Sequence, residues 1–318
     1  MKFNFKFKLK LDKKTGIIAI IAAVFIIPLL IFFLRSPVLI LTELSFIEIY
    51  GKERFQNESF FVSIAIFRPV KLVVVANDAG EDVVPFAVTQ VSIKPYCVIF
   101  PLRFAGSARL YKNLGINVPI IILEGRCLED ENPAESILGE EKSDYFIFKT
   151  DINDDFYRIG LAVTAIKPKI VQKQEESANE GVKKGKVIVF LEYKLEKMKD
   201  VFLRGLYDRG ELYETHFFNS FPQYTEFEDI HCVVMAGVGA EFLEKKAEAP
   251  VLLFTWLDPA LLPFDAVMTV NDSPLAQVRQ AVKMVKSGVK KGLIKSEFRV
   301  LNKAKFSKKV IAIIKKNR

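Results

Sequence analysis

The sequence predicts an α/β protein built from two doubly wound parallel-sheet lobes behind one N-terminal transmembrane helix. Three observations carry this expectation. Residues 16–34 form an uncharged apolar run. Behind it, short fully apolar runs alternate with helical segments, the pattern of parallel strands covered on both faces. That alternation then starts a second time near residue 186, as two consecutive βαβαβ sets would.

The run GIIAIIAAVFIIPLLIFFL holds 19 residues. At about 1.5 Å per residue it reaches about 28 Å, close to the hydrocarbon thickness of a bilayer. Pro28 is tolerated in a spanning helix. Lys2, Lys6, Lys8, Lys10, Lys13 and Lys14 precede the run, and only Arg35 follows closely. The positive-inside rule therefore predicts a cytoplasmic N-terminus and a domain on the periplasmic or extracellular side of the inner membrane, crossing it once. A cleaved signal peptide would need a shorter run and a small-residue exit. The exit reads Phe33, Leu34, Arg35, Ser36, Pro37, which favours an uncleaved anchor.

The chain of 318 residues carries a formal charge of +8, with half of its residues hydrophobic. That hydrophobic content supports a sizeable core and excludes general disorder. The charge excess lies at the two ends, so it does not describe a nucleic-acid groove. The histidines are His216 and His231 alone, and no Cys-x-x-Cys occurs, which argues against a zinc site. Cys97 and Cys232 lie inside apolar runs and read as buried free thiols. No GxSxG, GxxxxGK[ST], HExxH or strand-linked GxGxxG is present, so no enzyme and no cofactor is predicted.

In order, the strands expected in the first lobe are Val38–Thr42, Lys71–Ala76, Tyr96–Pro101, Val118–Leu123 and Tyr145–Phe148. Helices are expected over 45–66, 82–93 and Gly106–Leu114, and Asn153–Ile166 opens the second lobe. There the strands are Lys186–Leu191, Tyr213–Phe218, His231–Ala236, Pro250–Thr255, Phe264–Val270 and Phe298–Leu301. Helices are expected at Lys197–Asp208, after Ala236 to about Ala247, and over 274–286, where Leu275, Val278, Ala281, Val282 and Val285 share a face. The organisation is then a basic cytoplasmic tail 1–15, an anchor 16–35, lobe 1 over 36–155, lobe 2 over 156–302, and a basic tail 303–318. Lobe 1 has room to regain the chain near its C-terminus.

Three stretches resemble a known family. Asp151–Ile166 (DINDDFYRIGLAVTAI) is similar to an aspartate-rich turn and glycine-bearing helix. Gly185–Gly210 (GKVIVFLEYKLEKMKDVFLRGLYDRG) is similar to a strand, ligand-side loop and aromatic-rich helix. Val251–Val285 is similar to a closing segment with Asp258 and Thr269-Val270. Together they resemble the type 1 periplasmic-binding proteins, whose fold is shared by LacI-type sensor domains. The resemblance implies a solute-binding protein that closes two lobes on a small polar ligand, with an ABC transporter permease or a membrane sensor as partner and no nucleic acid.

Polar residues that interrupt or follow the apolar strands are the candidate ligand contacts: Thr42, Glu43, Asn77, Asp78, Glu124, Asp155, Glu192, Tyr193, Trp256 and Asp258. Carboxylates and amides there would bond a polar solute, with Trp256 or Tyr193 stacking on it. Arg103, just past the third strand, belongs to the same group of loop residues. The competing explanation for the Asp and Asn positions is helix capping and turn formation. An alternative function, an interaction module of the same fold without a ligand, draws on Gly237-Val238-Gly239, which stand where the family usually has Asn-Asp.

Overall fold

The computed structural model describes residues 13–127, 133–166, 185–210, 213–219, 229–236, 249–253, 267–271, 273–288, 291–294, 299–302 and 306–315. Trp256, Asp258, Gly237–Gly239, the polar segment 168–184 and the helix expected to about Ala247 lie outside the described residues.

The first sheet is built from β1 (Val38–Glu43), β2 (Val70–Val75), β3 (Cys97–Pro101), β4 (Ile120–Cys127), β5 (Phe146–Asp151) and β11 (Lys291–Ile294). Its order is β11-β5-β4-β3-β1-β2, all parallel. The second contains β6 (Lys186–Leu191), β7 (Glu214–Phe218), β8 (Ile230–Ala236), β9 (Val251–Leu253), β10 (Val267–Asn271) and β12 (Arg299–Asn302), in the order β12-β10-β9-β8-β6-β7. Only β12 runs antiparallel, against β10. Each sheet thus places its second strand outside its first and then winds the other way, so both are doubly wound, with a reversal between β1 and β3 and between β6 and β8.

The helices are α1 (Lys13–Leu34), α2 (Leu44–Tyr50), α3 (Lys52–Ile66), α4 (Val83–Val91), α5 (Ala105–Asn113), α6 (Pro133–Leu138), α7 (Ile152–Val163), α8 (Met198–Tyr207), α9 (Pro274–Ser287) and α10 (Lys308–Lys315). The single helix expected over 45–66 is two. Gly51 separates them at φ +91°, a conformation that side chains rarely adopt. Helix α3 ends on Phe67, itself left-handed at φ 52°.

Alternation along the strands sorts the core. Val38, Ile40, Cys97, Ile99, Ile121 and Phe148 face Tyr50 and Phe55 of the α2–α3 segment and Leu275, Val278 and Val282 of α9. Leu39, Leu41, Val98, Phe100 and Ile122 face α4, α5 and α6. In the second lobe Val187, Val189, Leu191, Cys232 and Val234 pack under α7, α8 and α10.

Two expectations are corrected by this packing. The expected lobe 2 over 156–302 takes in α9 and β11, but both complete the first sheet, the return to lobe 1 for which the sequence left room: α9 buries Leu275 and Val278 beside Ile99, and β11 pairs with β5. The apolar face of α9 matches either lobe in sequence, and its packing against Val38, Ile99 and Ile121 assigns it to the first. The segment 303–318 is not simply a tail. Helix α10 buries Val310 and Ile314 against α7, and Arg158 donates from Nη1 to the Ile314 carbonyl at 2.9 Å.

Among the described residues, no helix is long and apolar enough to cross a membrane. Helix α1 has 22 residues, and its described side chains begin at Val24. From there Val24, Phe25, Ile26, Ile27, Leu29, Leu30, Ile31, Phe33 and Leu34 are all exposed.

Cys97 and Cys232 are buried free thiols, and burial pushes the Cys97 thiol up to about 12 and the Cys232 thiol further. Both are therefore inert near neutrality. Titration of the native chain with a thiol reagent at pH 8 should leave these two unmodified, and denaturation should release them. Rapid native reaction at either would show that its strand opens easily.

Candidate functional site

Ligand crevices in doubly wound sheets form at the C-terminal ends of strands, at the point where winding reverses. In the first lobe that point lies between β1 and β3. Glu43 ends β1, and Arg103 lies in the 3₁₀ turn directly after β3. Their side chains form a salt bridge through Arg103 Nη1 and Glu43 Oε1. Arg103 Nη2 also donates to the Asn77 carbonyl at 2.5 Å, and Asn77 Oδ1 accepts from the Ser45 N–H at 2.9 Å. The loops after β1, β2 and β3 are thereby tied into one polar rim. Thr42 is buried just beneath it, while Asn77 and Asp78 are exposed.

Arg103 is the centre of this arrangement. Its guanidinium bridges two loops yet its side chain stays 58% exposed, so an oxygen acceptor arriving from solvent can reach it. The signal for it in sequence is a lone arginine immediately after the apolar run CVIFPL. Residue type alone does not reveal that it pairs with Glu43, 60 positions earlier in the chain.

The second lobe offers the equivalent place between β6 and β8. Glu192 follows β6, and its N–H donates to the Ala236 carbonyl at the end of β8 at 3.2 Å. Tyr193 opens the next 3₁₀ turn and is 78% exposed. A tyrosine ring so exposed on a rim is available for stacking.

Two other candidates stand apart from these rims. Glu124 sits within β4 at a register irregularity between Leu123 and Gly125. Its Oε1 accepts the Ala134 N–H at 2.8 Å, and Lys149 Nζ lies 3.6 Å from Oε2. It holds α6 to the sheet. Burial raises its pKa, against the opposing pull of that N–H and of Lys149. Glutamine should keep the Ala134 bond and remove the buried charge. Glu124→Gln is therefore expected to change stability by less than about 1 kcal/mol, whereas Glu124→Ala should cost about 1–3 kcal/mol by stranding the N–H. A pH series separates them. The raised pKa makes ionised Glu124 a burden that grows as pH climbs from its unfolded value toward the folded one, so the advantage of Glu124→Gln over wild type should increase over that interval.

Asp155 is buried in the first turns of α7, and the adjacent Asp154 pairs with Arg158 one turn on. Because α7 begins at Ile152, both aspartates lie inside the helix rather than at its cap. Among the described residues no group of three or more His, Cys, Asp or Glu could hold a metal ion.

No protein-family model and no curated protein sequence matches the chain. Solved structures do. An ABC transporter solute-binding protein from Conexibacter woesei superposes with a TM-score of 0.52 at 10% identity, covering 88% of this chain and 94% of its own. A periplasmic ribose ABC transporter protein from the same organism gives 0.46 at 14% identity, over 84% and 91%. A carbohydrate transporter solute-binding protein from Agrobacterium radiobacter, in complex with D-arabinose, gives 0.39 at 15%, over 88% and 98%. The first of these likenesses shows a shared fold.

Proposed function

We propose that this chain, which has the fold of the type 1 periplasmic-binding proteins, is a membrane-tethered solute-binding protein. It closes two lobes on a small polar ligand, for transport or sensing. The observation that carries this reading is the polar rim at the winding reversal of each sheet: Glu43, Asn77 and Arg103 on one, Glu192 and Tyr193 on the other. Hinge closure would bring the rims onto one solute. Asp78, in the loop after β2, is a further proposed contact, as are Trp256 and Asp258 from outside the described residues.

The fold neighbour from Conexibacter woesei is an ABC transporter solute-binding protein, which supports the solute reading by fold analogy and makes a permease a reasonable partner. The anchor is supported by the apolar run 16–34, by the helical course of α1, and by its exposed aliphatic and phenylalanine side chains from Val24 onward. Its lysine-rich N-terminal flank supports a cytoplasmic N-terminus and an extracytoplasmic domain.

Thermal denaturation of the full chain against sugars, amino acids and nucleosides tests the reading. A solute at 100 times its Kd should add about 2.7 kcal/mol. Arg103→Ala and Tyr193→Ala should each weaken that solute by about tenfold or more, since a rim contact is worth about 1.4 kcal/mol or above. A second reading rests on the same rim: Glu43, Arg103 and Asn77 already bond one another. A rim that is satisfied internally suits an interaction module without a ligand, and silence across the solute panel would favour it.

A further inference from the structure

We propose that the base of the first lobe lies on the lipid surface, docked by an apolar patch on α3 and a basic rim around the anchor's exit. This rests on the membrane-anchor reading and adds an orientation to it. The base is the edge where β1, β2 and β3 begin, opposite the polar rim. A six-residue strand places the two edges about 20 Å apart.

The linker between α1 and β1 is only Arg35, Ser36 and Pro37, and it is bolted to this base. Arg35 Nη1 donates to the Phe67 carbonyl at 3.3 Å, and its guanidinium lies 4.7 Å from the centre of the Phe67 ring. Phe32, in the last turn of α1, meets the same ring at 5.9 Å. Arg68 Nη1 donates to the Ser36 carbonyl at 3.2 Å, and its guanidinium stacks 3.7 Å over Tyr96. The Tyr96 N–H donates to the Pro37 carbonyl at 2.7 Å. An anchor joined this tightly cannot let the lobe tumble freely.

Through Phe32 and Phe67 the apolar side of α1 meets the C-terminal end of α3. Phe60 and Phe61 are each 62% exposed, and Ile64 is exposed one turn further along. Ile93, 71% exposed, lies in the turn into β3. Solvent-facing phenylalanines at this density are unfavourable in water and suited to the headgroup–acyl boundary, where an amphipathic face sinks about 5–10 Å. The charge agrees. Segments 35–37, 67–71 and 92–96 hold Arg35, Arg68, Lys71 and Lys94 and no acidic residue. Anionic lipid attracts such residues near its surface. With the base down, the Glu43–Arg103 rim points away from the bilayer, toward arriving solute.

The test uses the full chain in vesicles of phosphatidylcholine and phosphatidylglycerol with brominated acyl chains. Phe61→Trp and Ile93→Trp are each placed in a Trp256→Phe background, since Trp256 is the single tryptophan. Both should show blue-shifted emission strongly quenched by bromolipid. Phe86→Trp, on α4 against the other face of the sheet, should stay unquenched. Matching melting curves establish that each variant folds. Red, unquenched emission at positions 61 and 93 in a chain that floats with carbonate-washed vesicles would overturn the docking alone. A chain that does not float would overturn the anchor and the docking together. Equal quenching at position 86 would overturn the specific orientation. Blue, unquenched emission that grows with protein density would overturn it in favour of contact between copies.

Discussion

Alanine at Gly160 or Gly205 should cost the protein about 3 kcal/mol, at the upper end of what an overpacked core contact costs. A glycine-to-alanine change inside an exposed helix should instead gain roughly 0.5–1 kcal/mol. The sign reverses here because α7 and α8 cross backbone to backbone. A Cβ on Gly160 would overlap the Phe202 carbonyl and lie 2.8 Å from the Leu206 nitrogen. A Cβ on Gly205 would overlap the Tyr157 carbonyl and lie 3.1 Å from the Leu161 nitrogen. The colliding atoms belong to helical backbone and cannot rotate aside, so the helices must separate and loosen Phe156, Ile159 and Phe202 beneath them. At roughly 2–4 °C per kcal/mol for a unit of this size, each variant should melt about 6–12 °C lower. The double variant should cost less than the sum, because one separation relieves both clashes. Urea titration followed by circular dichroism measures all three, and an additive pair would mean that the crossing is not shared.

Removing Arg158 should have a comparable effect. Arg158 is nearly buried, forms an ion pair with Asp154 and donates to the Ile314 carbonyl at the end of α10. In Arg158→Ala a poorly solvated carboxylate loses this cation and the last turn of α10 loses a donor. Breaking a buried pair from one side costs about 3–5 kcal/mol. Ile314→Ala, at a fully buried position, should cost about 2–5 kcal/mol by opening a cavity against α7. Hydrogen exchange distinguishes local from global loss. If α10 is a structural part of lobe 2, protection should fall in α7 and β6 as well as in 308–315. Loss confined to 308–315 would mean that the terminal helix frays independently.

The strands were legible because most are wholly apolar and short. Runs such as VLILT, CVIFP and KVIVFL bury both faces, and the sheet order follows once each is joined to the next by a helix. Helix α9 was legible as an element, with Ser273 capping it and Gly288 closing it. Its membership was not, since an amphipathic face fits any sheet of the right size. Strand β11 has only four residues and little hydrophobic signal, so it exists by pairing with β5. At the site, the position of a polar residue after a strand was readable and its direction was not. Glu43 and Glu124 both end or interrupt apolar runs. One side chain meets Arg103 at the rim and the other turns inward to α6. A register irregularity between Leu123 and Gly125 accompanies that difference.

What the sequence determined by itself is the alternation of elements, the doubling of the α/β pattern, the apolar N-terminal run and the absence of the common enzyme motifs. These follow from local chemistry: hydrophobic periodicity, capping residues, and charge placement. The tertiary structure alone decided that α9 and β11 return to the first sheet, that α10 seals the second, and that Arg103 ties three loops together. Each of these depends on contacts between residues far apart in the chain. Such contacts form only when closing the intervening loop is repaid by burial, and the sequence at either end records no more than its willingness to be buried.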